Sequence, residues 1–504
     1  MFPIEFLRHS ALVCPGAVAA VDGHANCTYR ELIERSDALG VGIEATTGKK
    51  RPVVAILGPN SLEMLIALLS IHASGSVLVP LNGRNSKSEL DSQIVRANPD
   101  LLIVHRDYLD RFTQSGRPVL IADAAGEDAR STRNLEDRHL GSRPVWVASL
   151  GDMNGIKFTG GSSGQPKGVM QSFRCTNMVV ANVVAGFELQ PADRYLCVAP
   201  MTHGAGAMLL PILARGGCIV MTADPRPGNI LDLVASERVT VTWMPPTMLY
   251  TLIDEQKCRP RNVSTLSHLV WSAAPASPAR LREAQQVFGS VIETMYGQTE
   301  APLMLTYARS YDLADEKKLA SVGRVAPLVD LAILDPGGRP LPQGEFGEVC
   351  VRGDLVMNGY LGMPEETAQT IRDGWLHTGD GGFMDADGYL YLKDRLRDVV
   401  ISGGFNIYPS DVEAALSRHA SVAEVVVFGV PDDHWGERVE AALELRAGCA
   451  AVEQDLIDFC KIEIGSIKAP KCVHIVEALP RSPVGKVLRR EARAQALMAR
   501  DRRA

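Results

Sequence analysis

Between Thr159 and Gly168 the chain places four glycines, three hydroxyl side chains and one lysine in ten residues. Glycine lets a backbone turn through positive φ and present its N–H groups to an anion, while hydroxyls and an ammonium add further donors. Such a loop can handle a triphosphate. The apolar residues on either side predict strand, loop, strand. It is not a Walker loop, which ends in Gly-Lys-Ser/Thr and opens a helix, because Lys167 follows Pro166 and precedes Gly168. A solvated Gly/Ser linker would share this composition, so the loop alone does not decide the chemistry.

The elements around it supply more. From Arg51 onward, short β-branched runs alternate with segments of helical period: Val53–Leu57, a helix near Ser61–Ala73, Val77–Pro80, a helix near Lys87–Ala97, then Leu101–Val104. The rhythm returns after the loop, with Tyr195–Ala199, a helix from about Gly204, Cys218–Thr222, a helix near Asn229–Glu237, and Val239–Trp243. Alternation of this kind predicts parallel, doubly wound sheets, here two similar α/β layers packed together. Beyond Val325 the chain becomes a series of strands punctuated by glycine and proline, including a hairpin from Phe383 to Leu390. Asp385 and Asp387 sit in its turn without the downstream acidic ligand that a calcium loop requires, which makes it a plain turn. A charged segment near Asp394–Arg397 then leads into a separate α+β block with strands at Val425–Val430 and Val439–Leu445.

A chain of 504 residues, 46% of them apolar, can bury several core layers and divides into two or more domains. A net charge of −7 offers no basic face for displacing counterions from a nucleic acid. The start has no secretory signal, and the most apolar window, Val53–Leu81, is interrupted by Pro59, Asn60, Glu63 and His72, so it is not a membrane span. Ten cysteines without a C-x-x-C pair suit buried thiols in a reducing cytoplasm.

Six separated segments, in order, resemble the adenylate-forming superfamily of acyl-CoA synthetases, coumarate ligases, firefly luciferase and peptide-synthetase adenylation domains. They are Thr159–Gly168, Tyr296-Gly297-Gln298-Thr299-Glu300, His377-Thr378-Gly379-Asp380, Asp394-Arg395-Leu396-Arg397-Asp398, the run from Ser402 to Pro409, and the run from Pro480 to Lys486. The resemblance covers nearly the whole chain, from about Thr28 to Arg490. It implies an α/β fold: a large N-terminal domain (1–395) of doubly wound α/β layers with a small β-rich subdomain, a hinge at 396–397, and a small α+β C-terminal domain (398–504). It also implies the reaction. A carboxylate attacks the α-phosphate of ATP to give acyl-AMP and pyrophosphate, and the thiol of coenzyme A then captures the acyl group.

The site residues follow from the same resemblance. Thr159, Gly160, Gly161, Ser162, Ser163, Gly164 and Lys167 would surround the phosphates. Thr299 would contact the α-phosphate and Glu300, with Thr159, would hold Mg2+. Asp380 and Arg395 fall at the ribose positions. Ala273, Ala274 and Pro275 match the turn along adenine, with Tyr296, Gly297 and Gln298 beside the base. Lys486 would bridge the attacking carboxylate and the phosphate oxygens, neutralising anions that otherwise repel. By analogy with oxyanion donors its loss would cost roughly 3–4 kcal/mol of transition-state stabilisation. Because Lys486 belongs to the small domain, the resemblance implies that this domain rotates between half-reactions about Arg397, bringing Gly403 and Gly404 to the coenzyme A tunnel. His203 would stand where the acyl pocket meets that tunnel, and the pocket would be formed by His203, Met208, Trp243, Ala273, Met295, Gly297 and Pro302. No charge occurs among those seven, which favours an uncharged aryl, alicyclic or medium aliphatic tail, as in fatty-acid or aromatic-acid metabolism.

Three departures stand out: Gly160 and Ser162 replace the commoner Ser and Thr, Val484 replaces a hydroxyl, and Ile401 stands where coumarate ligases carry a second lysine. Hydroxyl donors persist at Thr159, Ser162 and Ser163, so tuning is expected rather than inactivation. The resemblance extends to a homodimer and to a lysine acyltransferase acting on Lys486. Two other readings stay open at this point: an adenylating enzyme that loads a carrier protein, and a nucleotide-binding protein without turnover.

Overall fold

Capped helices between short apolar strands build two large sheets in the computed structural model, which describes residues 1–113, 116–124, 128–159, 166–432, 435–482 and 487–501. Thr28 and Ser86 each close a reciprocal capping box, with Glu31 and Glu89 respectively, and Ser61 accepts from the Met64 N–H. Each cap contributes about 1 kcal/mol by satisfying an N–H that the helix leaves free. The helices therefore start where the sequence places a small hydroxyl before an apolar run.

One sheet has seven strands in the order Gly359–Tyr360, Lys167–Ser172, Met153–Thr159, Val77–Pro80, Val53–Leu57, Leu101–Val104, Val119–Ile121. The other has nine: Arg324–Val325, Ala301–Ala308, Ile292–Gln298, His268–Trp271, Val241–Met244, Arg194–Cys197, Cys218–Met221, Val18–Asp22, Ala25–Thr28. Their centres are parallel, as the alternation predicts. Their margins are not: Met153–Thr159 pairs antiparallel with Lys167–Ser172, and Ile292–Gln298 pairs antiparallel with Ala301–Ala308. Connections of only a few residues leave no room for a crossover helix and so reverse the chain. Both candidate phosphate-handling turns lie at these reversals.

Helix Leu62–Ala73 is buried on nearly every face, and its apolar residues share one core with strands of both sheets. A helix apolar all round is stable only when covered on all sides. Within residues 330–395 the strands other than Gly359–Tyr360 form a third sheet, in which Trp375–Met384 lies between Gly347–Arg352 and Leu390–Arg395. In its hairpin turn Asp385 and Asp387 both accept from the Lys318 ammonium, at 2.6 and 2.7 Å. The last sheet, built on Val422–Asp432 and Gly436–Leu445, carries its own core with Val412, Leu416, Leu456 and Val473. Among the described residues no cysteine forms a disulfide. Among the described residues no helix is long and apolar enough to cross a membrane.

Candidate active site

Thr299 and Glu300 fill the two-residue turn between Gln298 and Ala301. Neither has the positive φ that favoured two-residue hairpin turns use. The turn is instead held from outside. The Gln171 amide donates to the Thr299 carbonyl at 2.7 Å, and the Met357 N–H donates to the Glu300 carbonyl at 2.8 Å. Just behind it the ladder is irregular: Tyr296 pairs with Thr306 but Gln298 with Ala301, so the second strand bulges. Leu303 within the bulge has φ +62°, a conformation costing about 1–3 kcal/mol for a branched side chain. Gly297 makes room for it, since a Cβ there would lie 2.6 Å from the Leu303 carbonyl oxygen.

Around this turn the structure gathers residues from widely separated segments. The Tyr296 hydroxyl donates to Asp380 Oδ2 at 2.6 Å, and Arg395 Nε forms an ion pair with Asp380 Oδ1 at 3.0 Å. Asp380 and Arg395 are cross-strand partners, which accounts for a meeting across fifteen residues of sequence. The Tyr360 hydroxyl donates to Glu300 Oε1 at 2.9 Å, and Lys167 Nζ lies 4.8 Å from the centre of the Tyr360 ring. Tyr360 reaches this position by pairing with Val169, two residues beyond Lys167.

Electrostatics joins these contacts into one cluster. Burial, and then Asp380, raise the Tyr296 pKa well above the usual phenol range. Burial and Glu300 do the same for Tyr360. Both phenols therefore stay protonated and act as donors. Burial disfavours the Arg395 cation, but Asp380, Tyr296 and Glu300 outweigh it and leave its pKa raised. The approach to Asp380 is pinned as well: Glu348 accepts from the Gly379 N–H at 3.0 Å and from His377 Nδ1 at 2.7 Å, and Thr378 Oγ1 donates to the Val349 carbonyl at 2.6 Å.

The turn Ser272–Pro275 follows strand His268–Trp271. Ala273 has φ +75°, and the Trp243 indole donates to Ser272 Oγ at 2.8 Å. Gln298 Nε2 is buried without an acceptor among the described residues, which leaves a donor for a ligand.

His203 sits in a turn that Asn60 organises. Asn60 Nδ2 donates to the carbonyls of Cys197 and Ala199, both at 2.9 Å, and its Oδ1 accepts from the Met201 N–H at 2.8 Å. Beside the turn lies a cavity of about 60 Å3 whose polar wall includes His72, Asn154, Lys157, Gln171, Thr202 and His203. The His203 ring keeps accessible surface but lies deep enough that burial, then the Lys157 charge, lower its pKa. Burial pushes His72 down to about 4, and its Nδ1 lies 3.2 Å from Asn154 Oδ1. Both imidazoles are thus neutral near pH 7.

Of the seven residues expected to form the acyl pocket, only His203 lines this cavity. Met208, Trp243 and Met295 are core residues, and Trp243 packs so close to Gly204 that a Cβ there would lie 2.8 Å from its ring. Ala273, Gly297 and Pro302 belong to the strained turn and bulge already described. Thr159 pairs with Lys167 where the two strands meet the loop, but Gly160, Gly161, Ser162, Ser163 and Gly164 lie outside the described residues, as does Lys486. Arg397 belongs to a short 3-10 turn, Leu396–Asp398. Gly403 and Gly404 form a hairpin turn with φ of +58° and +83°, and the Gly403 N–H donates to the Trp435 carbonyl at 2.9 Å, not to the cluster at Glu300. Tyr360, Gln171, Asn60 and Lys157 escaped the sequence reading. The first three act through tertiary pairing that no local pattern announces; Lys157 left a trace, a cation inside the apolar strand just before the glycine loop.

Family models place these features in known company. The AMP-binding enzyme model matches residues 7–361, and the model for the AMP-binding enzyme C-terminal domain matches 411–486. A medium/long-chain-fatty-acid–CoA ligase from Mycobacterium tuberculosis is 38% identical over 489 residues, 92% of this chain and 84% of its own. A feruloyl-CoA synthase from an Amycolatopsis species is 34% identical over 96% of each chain. The crystal structure of ATP-bound MatB from Rhodopseudomonas palustris superposes with a TM-score of 0.89 at 27% identity, over 98% of this chain and 99% of that one.

Proposed function

Because the chain belongs to the AMP-binding enzyme family, we propose that it is an ATP-dependent acid–CoA ligase working in two half-reactions through an acyl-adenylate. The observation that carries this reading is the cluster Lys167–Tyr360–Glu300 beside Tyr296–Asp380–Arg395, which puts cations, protonated phenols and carboxylates at one place. In the first half-reaction an oxygen of the substrate carboxylate bonds to the α-phosphorus of ATP, the bond to the bridging oxygen breaks, and pyrophosphate leaves with the electron pair. In the second, the coenzyme A sulfur bonds to the acyl carbon, the thiol proton is lost to solvent, and AMP departs.

The residues divide this work. Asp380 accepts from the ribose hydroxyls, oriented by Tyr296 and Arg395, which hold one carboxylate oxygen each. Lys167, Thr159 and the glycine loop supply donors to the β- and γ-phosphates. Lys486 brings the negatively charged carboxylate to the negatively charged phosphate. Magnesium suits the donor set at Glu300, a hard carboxylate whose partner in the cluster is a neutral phenol, with the Thr159 hydroxyl as a second oxygen. When bound, the ion would neutralise charge on the departing pyrophosphate. The small domain, carrying Lys486, Gly403 and Gly404, would then turn about 396–397 to admit the thiol.

Relatives that are a fatty-acid–CoA ligase and a feruloyl-CoA synthase favour coenzyme A as acceptor over a carrier protein. The test is to incubate the enzyme with ATP, magnesium and a panel of carboxylic acids, with and without coenzyme A. The expected products are AMP, pyrophosphate and a coenzyme A thioester of the correct mass. Production of ADP, or adenylate formation without any thioester, would reject the reading.

A further inference from the structure

We propose that Lys157 selects acids bearing a second carboxylate, and that the cavity beside His203 receives that end of the substrate. The inference rests on the ligase reading and names the substrate class of its acyl site.

Lys157 is the single charged residue lining the cavity. It is partly buried, it lines the cavity, and among the described residues no carboxylate or other acceptor pairs with it. An ammonium removed from water without a counter-ion is unfavourable, and a ligand that supplies the anion reverses the balance. Burial lowers the Lys157 pKa; a bound carboxylate would restore the charge. His72 and His203 are neutral near pH 7 and cannot substitute for it.

Three further observations fix the direction of binding. Thr202 Oγ1 is buried without a partner among the described residues, so a second donor waits in the same wall. Leu68, Val179, Val180 and Leu210 supply apolar surface suited to methylenes or a ring between the two carboxylates. Gln171 both lines the cavity and donates to the Thr299 carbonyl at 2.7 Å, so the cavity begins next to the turn that carries Glu300. One carboxylate at that turn and the other at Lys157 would span the space. The uncharged tail favoured by the sequence rests on seven side chains of which only His203 lines this cavity.

The experiment compares kcat/KM for straight-chain monocarboxylic acids with the dicarboxylic acids of the same chain length, such as hexanoate with adipate, in wild-type, Lys157→Met and Lys157→Arg enzymes. For at least one chain length the wild type is expected to favour the diacid by about tenfold or more, the value of a hydrogen bond to a charged group. Lys157→Met should erase the ratio by raising KM for the diacid, and Lys157→Arg should keep most of it. Because the readout is a ratio within each variant, a smaller folded fraction does not change it. Thioester formation with monoacids alone, or an effect of Lys157→Met on KM for ATP or coenzyme A instead, would overturn the inference and leave the ligase reading standing. Failure of the wild type to make AMP from any acid would remove both.

Discussion

Asp380 divides its two oxygens between a phenol and a guanidinium, and each partner depends on it. The ring of Tyr296 is buried, and Arg395 meets the carboxylate across a strand pair. Asp380→Asn keeps the shape but loses the charge-assisted bonds, roughly 1.5–3 kcal/mol. Equilibrium dialysis should show AMP binding weakened by about 10- to 100-fold, with the fold retained; unchanged affinity would remove Asp380 from the ribose site. His72 makes a different prediction. Its folded pKa, about 4, lies below its ordinary 6.5, so the unfolded chain binds the proton first as pH falls. The stability it contributes is present above about pH 6.5 and is lost toward pH 4, by up to about 3 kcal/mol. Comparing urea unfolding midpoints of wild type and His72→Gln across this range isolates the term, and a gap between them that does not change with pH would contradict it. At this scale the sequence discloses residues that sit in contiguous strings, such as Glu300 and Asp380. It hides Tyr360 and Lys157, whose meaning comes from neighbours more than a hundred positions away in the one case and from an absent counter-ion in the other.

Two turns position the reacting groups, and both depend on backbone that has no room for alternatives. The Thr299–Glu300 turn is held by Gln171 and Met357, and the His203 turn by Asn60. Gly206 is the tightest point of the second: a Cβ there would stand 1.8 Å from the Met201 carbonyl oxygen. Gly206→Ala must therefore displace the turn. Steady-state kinetics should show KM for the acid raised at least about tenfold while AMP affinity, measured separately, stays within about twofold, because misplacing a positioning element by an ångström costs on that order or more. Equal loss of both would mean that the turn supports the whole domain. The parallel strands of both sheets were readable from period and β-branching, and so were the two strands that flank the glycine loop, though not their direction. The antiparallel margins and the bulge at Leu303 were not, because a bulge reports the fit between strands and not the preference of either one.

Across the molecule, the small domain has its own core yet is tied to the segment that leads into it. Arg489 reaches Glu413, Asp394 and Asp398 at 2.9, 3.3 and 3.1 Å. Burial raises the pKa of both Glu413 and Asp394, and the Arg489 charge opposes it. The knot thus closes on both sides of 396–397, where φ and ψ must change if the domain turns. On the proposed alternation, Lys486→Ala nearly abolishes pyrophosphate release, while Arg397→Pro spares that step and stops thioester formation. Single-turnover assays of each half-reaction distinguish them, and equal loss of both halves in Arg397→Pro would count against a hinge. The sequence offers a charged segment near Asp394–Arg397 as the expected boundary, whereas the ionic knot left no sign in it, since its members span almost a hundred residues. The central claim, that a carboxylate is activated as its adenylate, is tested most directly by supplying an acid labelled with oxygen-18 in its carboxylate together with ATP and coenzyme A. One labelled oxygen should appear in the phosphate of AMP and none in pyrophosphate; label in orthophosphate accompanied by ADP would contradict it.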